Sequence, residues 1–171
     1  PSTGANQAFD LAVNEVPSQM VYDDGHLYVV GNFSATQAKT RQSLVAVDLD
    51  TGDVLDWAPN PSSSVETMFI HDDKLYLGGS FTTTSSQTRN RAAAYNLSDL
   101  TLTAFDPDAN RRVFRYHAID GELWMCGDFT TLGSTSRSRL ASVDPATGAP
   151  NTFNPGTTDA DIYDCVFDGD T

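Results

Sequence analysis

The sequence predicts an all-β chain, a β-propeller built from four-stranded blades of 48 residues, and three observations predict it. A seven-residue stretch recurs as LYVVGNF at 27–33, LYLGGSF at 75–81 and LWMCGDF at 123–129, each copy 48 residues after the last with no gap. A fixed period of this size marks a repeat architecture. The apolar residues come in short runs broken by Gly, Pro, Asn, Asp and Ser, and no window of helical length carries a three-and-four spacing. Runs such as LVAV at 44–47 are apolar at successive positions, as expected of strands covered on both faces, the situation of a blade held between two others.

The register extends over the whole chain. Arg41, Arg89 and Arg137 coincide, as do Asp48, Asn96 and Asp144, then Phe9, Trp57, Phe105 and Phe153, then Pro59, Pro107 and Pro155, and Asp24, Asp72, Asp120 and Asp168. About three and a half units result: blades over 16–58, 64–106 and 112–154, with partial blades at 1–10 and 160–171. In the middle unit the first strand is read over 65–71 and turns at Asp72-Asp73 into a second over 74–81, a hairpin. A polar loop over 82–88 leads to a third strand over 89–97, and a fourth over 100–105 ends at Asp106-Pro107. In the flanking units the turn before the fourth strand is DLDTGDV or DPATGAP, where Gly52 and Gly148 supply the positive φ of a tight turn. A parallel β-helix is the competing architecture, but its shorter coils lack this hairpin pattern. The chain starts and stops inside a repeat, so the expectation is a segment of a longer chain; a ring assembled from several chains is the alternative.

The net charge of −13 comes almost wholly from aspartate, with ten Lys and Arg residues against 23 acidic ones. Nucleic acid is not an expected partner, because its binders need a clustered basic face. A solvated acidic surface is the simplest reading of the charge. No apolar run approaches the length that spans a bilayer.

LYLGGSFT followed by a Ser/Thr-rich loop, an arginine, a short AAAYNL or LASVDP strand and a closing AFDP or TFNP resembles the delta-60 repeat family of β-propellers. The resemblance covers essentially the whole chain and implies a propeller fold in large bacterial, viral or eukaryotic surface proteins, without one common activity. VAVDLDTGDVLDW at 45–57 also looks like a quinoprotein propeller repeat, but the rest of the blade departs from that pattern.

Residues copied once per blade are read as structural. Arg41, Arg89 and Arg137 are expected to reach a carbonyl or carboxylate of their own or the next blade, with Asp48, Asn96 and Asp144 as candidate partners. Trp57, Phe105 and Phe153 are expected in interblade packing, and the glycines of LYLGGSF lie on a strand and open no phosphate-binding loop. Departures from the repeat are where chemistry is sought. Asp159, Asp161 and Asp164 form the most distinctive acidic cluster, a candidate for calcium, although no glycine-spaced calcium loop surrounds them. Without that cation no cofactor is expected. His26, His71 and His117 occupy different repeat positions and have no zinc spacing. Cys126 and Cys165, the only cysteines, fall on the second strand of one blade and the first of the next, so an interblade disulfide and two free thiols are both open readings. Asn32-Phe33-Ser34 and Asn96-Leu97-Ser98 match the glycosylation acceptor pattern.

No catalytic triad, paired-glutamate setting or nucleotide loop is assigned. The expectation is a non-enzymatic structural or binding module, an adhesion or scaffold propeller of an extracellular, cell-surface or virion protein. It would engage a protein or glycan partner through the loops 34–40, 82–88 and 130–136. The alternative is part of a propeller enzyme of glycosidase, lyase or quinoprotein type, with its catalytic groups in other blades.

Overall fold

A computed structural model of the protein describes residues 11–37, 39–156 and 160–165. Among them every regular element is a strand, so none is a helix able to cross a membrane. The first blade holds β1 (Pro17–Asp23), β2 (His26–Gly31), β3 (Ala35–Thr36), β4 (Lys39–Thr40) and β5 (Leu44–Asp48). The second holds β6 (Val65–His71), β7 (Lys74–Gly79), β8 (Thr83–Thr84), β9 (Gln87–Thr88) and β10 (Ala92–Asn96). The third holds β11 (Val113–Ile119), β12 (Glu122–Gly127), β13 (Thr131–Leu132), β14 (Thr135–Ser136) and β15 (Leu140–Val143).

Each blade is an antiparallel sheet, in the orders β1-β2-β5, β6-β7-β10 and β11-β12-β15. The first two strands join through a turn whose two central residues both have positive φ: Asp24-Gly25, Asp72-Asp73 and Asp120-Gly121. That backbone matches the right-handed strand twist and closes the hairpin in two residues. The polar loops carry strands too: β3-β4, β8-β9 and β13-β14 pair as small hairpins of their own.

Two expectations are corrected here. The fourth strand of each blade is reduced to a single bridge, Val47 with Val54, Tyr95 with Leu102 and Val143 with Pro150. Its residues have a partner on one side only, and a short edge rich in Thr, Asp and Pro offers little ladder to extend. The strand expected to open the next blade is not formed over 160–165. The partial blade 1–10 with Phe9, and also Asp159 and Asp168, lie outside the described residues.

Successive residues of one strand enter different cores, as two-sided burial requires. On β7, Leu75 and Leu77 join the core between the first two blades, while Tyr76 between them joins the core between the second and third. On β10, Ala93 and Tyr95 point to the first of these cores and Ala92 and Ala94 to the second. The first strands of neighbouring blades, β1 with β6 and β6 with β11, lie against each other. This side-by-side stacking of sheets around their first strands is that of β-propeller blades.

Tyrosines stitch the blades together. The Tyr76 hydroxyl donates to Pro145 O at 2.9 Å in the third blade, and Tyr116 on β11 donates back to Leu77 O at 2.9 Å. Burial, then the nearby carboxylates of Asp72 and Asp144, push Tyr76 up to about 12 from 10.0. A folded-state value above the unfolded one means the contribution to stability is whole below pH 10 and is lost as pH rises through about 12. Denaturant midpoints are therefore expected to fall steeply over this window, and less steeply in Tyr76→Phe. Equal slopes in the two proteins would show that the hydroxyl has no such role.

Candidate functional site

The edge of the array where the chain enters each first strand carries the hairpins β3-β4, β8-β9 and β13-β14. Each is fixed by one short polar side chain placed before the first strand. Asn14 Oδ1 accepts from the N–H groups of Ser34 and Ala35 at 3.0 and 3.2 Å. Ser62 Oγ accepts from Thr82 and Thr83 at 3.0 and 3.1 Å, and Asn110 Oδ1 from Thr130 and Thr131 at 2.9 and 3.1 Å. Asn14, Ser62 and Asn110 stand 48 residues apart, so the signal was in the register, although residue-by-residue reading missed it.

Between the first two blades this edge opens into a cleft of about 270 Å3. Its rim carries the exposed Asn32, Ser34, Gln42 and Ser63, and its floor the buried Phe33 and Pro61. The lining side chains are hydroxyls, amides, one phenyl ring and one proline, with no charged group among them. Such a surface offers donors and acceptors to a neutral polar ligand over a small apolar base.

The once-per-blade arginines hold the outer edge of their own blade. In each, Nη1 donates to the preceding carbonyl and Nη2 to a carbonyl fourteen residues on: Arg41 to Thr40 and Leu55, Arg89 to Thr88 and Thr103, Arg137 to Ser136 and Asn151, all between 2.6 and 3.0 Å. Their hydrogen-bond partners are thus main-chain carbonyls, and Arg89 Nη1 also lies 3.7 Å from the Asp106 carboxylate. Asp48 and Asp144 cap their own turns, accepting from Asp50 and Thr51 and from Ala146 and Thr147, while Asn96 donates to Thr101. Hydrogen bonds from Thr51 to Asp48 and from Thr147 to Asp144 hold both carboxyls below the usual value.

The closing aromatics pack edge-on against the second strand. Trp57 sits between Tyr28 of its own blade and Tyr95 of the next, with ring centroids at 6.2 and 5.0 Å; Phe105 meets Tyr76 at 5.1 Å and Phe153 meets Trp124 at 5.0 Å.

The acidic departures lie on the far side of the third blade. Asp161 Oδ1 is 3.4 Å from Arg139 Nε, and Asp164 Oδ1 is 3.5 Å from Arg115 Nε. Each of these two carboxylates faces a guanidinium. Among the described residues no three His, Cys, Asp or Glu side chains converge as a metal would need. Asp128, where the other copies have Asn32 and Ser80, is buried and takes Arg112 Nη2 and Nε on Oδ2 at 2.8 and 2.9 Å. Cys126 is fully buried on β12, with the Sγ of Cys165 2.6 Å from its own.

No curated protein matches the chain. Residues 71–102, which run from the end of β6 through β10, match a family model described as a domain of unknown function (DUF5122) beta-propeller. The matched stretch contains β7, the β8-β9 hairpin, Arg89 and the Tyr95 strand, the core of the middle blade. It supports a β-propeller repeat family, in agreement with the stacked sheets.

Proposed function

We propose that the protein is a non-enzymatic binding and scaffold propeller, of delta-60 repeat type, that holds a glycan or a protein segment at the hairpin edge of its blades. The observation that carries this reading is the uncharged cleft between the first two blades, with Asn32, Ser34, Gln42 and Ser63 around Phe33. Uncharged hydroxyls and amides suit the hydroxyls of a neutral sugar, and suit an extended backbone as well. The repeated hairpins present similar Thr and Ser edges on every blade, so partners with repeating units would gain by engaging several at once. A surface of net charge −13 favours solution or an exposed outer face over contact with polyanions. We place the protein on this reading outside the cell, at its surface or on a virion.

Binding to a neutral-glycan array and to a peptide array tests the reading. Selective retention is expected, reduced roughly tenfold or more in the double variant Gln42→Arg, Ser63→Arg, since both side chains are exposed and their loss leaves the cores intact. Absence of retention on either array, or retention unchanged by the double variant, removes the cleft as the site. Turnover of an applied glycoside or polysaccharide would favour a propeller enzyme instead.

A further inference from the structure

Among the described residues, the junction beyond the third blade is built unlike the two before it. Between the first and second blades, and between the second and third, the second strand meets the next first strand through apolar side chains. After the third blade, residues 160–165 lie along β12 and β11 by polar and aromatic contacts. Ile162 N donates to Gly127 O at 3.2 Å, Asp161 and Asp164 face Arg139 and Arg115, and the Tyr163 ring stacks on Phe114 at 5.1 Å and 18°. Asp164 and Tyr163 remain 61% and 66% exposed, and exposed ion pairs of this kind hold weakly.

Into this junction the chain brings its two thiols. In the 48-residue register Cys126 stands where the other blades have Val30 and Gly78, and Cys165 stands where Phe69 and His117 stand. Val30 and Phe69, the corresponding positions of the first junction, enter different cores, whereas here the two Sγ atoms are in contact. Cys126 is buried while Cys165 is partly open to solvent, so a reagent reaches Cys165 first.

We propose that Cys126 and Cys165 form an oxidisable pair, a covalent latch that fixes the segment 160–165 to the face of the third blade. The oxidant is a small disulfide. The Cys165 thiolate attacks one of its sulfurs, the sulfur–sulfur bond breaks and one thiolate leaves. Cys126 then gives up its proton and attacks Cys165 Sγ, and the second thiol leaves. The balance is two protein thiols and one small disulfide going to one protein disulfide and two small thiols. The order of attack agrees with the electrostatics. The shared hydrogen bond holds Cys165 below the ordinary thiol value, whereas that bond and then burial push Cys126 up. The latch closes a loop of about forty residues, long enough to remove much of the freedom of the opened chain.

The test treats the full chain with glutathione disulfide, alkylates what remains, and maps the products by mass spectrometry without reduction. The expected product is a peptide pair joining Cys126 to Cys165, with the chain lighter by two hydrogens. Chymotrypsin cleavage after the exposed Tyr163 should slow roughly tenfold or more on oxidation and recover on adding dithiothreitol. Cys165→Ser, at the partly exposed position, should leave the fold intact and abolish both effects. Two alkylatable cysteines in the treated chain, glutathione adducts or interchain dimers as the main product, or cleavage after Tyr163 unaffected by oxidation, would each overturn the latch.

Discussion

Gly127→Ala is expected to destabilise the protein by about 3 kcal/mol or more, at the upper end of overpacking effects. Gly31, Gly79 and Gly127 occupy one register position at the end of the second strand. Opposite each, the first strand slips by one residue, between Pro17 and Gln19, between Val65 and Thr67 and between Val113 and Arg115. Such a bulge kinks the first strand and swings its main chain toward the partner. A Cβ on Gly127 would lie 2.1 Å from Arg112 O, and one on Gly79 2.3 Å from Ser64 O. Backbone cannot step aside as a side chain would. At Gly31 the nearest atoms, Pro17 Cα and Val16 O, are at 3.0 Å, so Gly31→Ala should cost only about 1 kcal/mol. All three alanines also restrict the unfolded chain, which favours folding by about 0.4–1 kcal/mol, and the clash has to exceed that gain. Urea midpoints of the three variants should therefore fall least for Gly31→Ala and most for Gly127→Ala; a midpoint that rises in Gly79→Ala would refute the close approach.

Phe105→Ala is expected to cost about 3–5 kcal/mol, whereas Phe153→Ala, its copy one blade on, should cost below about 1 kcal/mol. The two rings make the same edge-on contact with the second strand of their blades. Phe105 is wholly buried, closed in by the third blade, and belongs to the core that also contains Val143 and Met125. Phe153 is 47% exposed among the described residues. Burial decides the difference, since a cavity forms only where neighbours cannot collapse and no water already stands. Thermal or urea unfolding of the pair measures it directly. Similar losses in both variants would mean that the ring contact, not enclosure between blades, sets its worth.

The 48-residue spacing makes the sheets legible in the sequence itself. Leu27, Leu75 and Leu123 begin the same run, and a run apolar at every position is explained only by two covered faces. What escaped the sequence were features whose cause lies elsewhere in the chain. LTLTAF at 100–105 alternates as a strand should, yet only Leu102 bridges, because the edge has no second partner to align it. The turn of the β8-β9 hairpin uses positive φ at Ser85 and Ser86, residues that do not announce it as glycine would. The arginine series was visible as structural, but a guanidinium donates to carbonyl and carboxylate alike, and only the fold shows which oxygens come within reach. The cleft of the candidate site was legible in part. The Ser and Thr loops marked its edge, while Ser62 and Ser63 come from the linker between blades and enter it through the stacking alone.

The arginine clamps also say how freely such blades can be rewritten. Each guanidinium grips carbonyl oxygens that every amino acid carries, so the residues it holds can be Leu55, Thr103 or Asn151 with the same bond made. The outer rim is thereby attached by a device indifferent to its side chains. Solvent-facing positions there are natural places to randomise a library, with the arginine left as the handle and the core-facing Trp57 and Phe105 of the same segments kept.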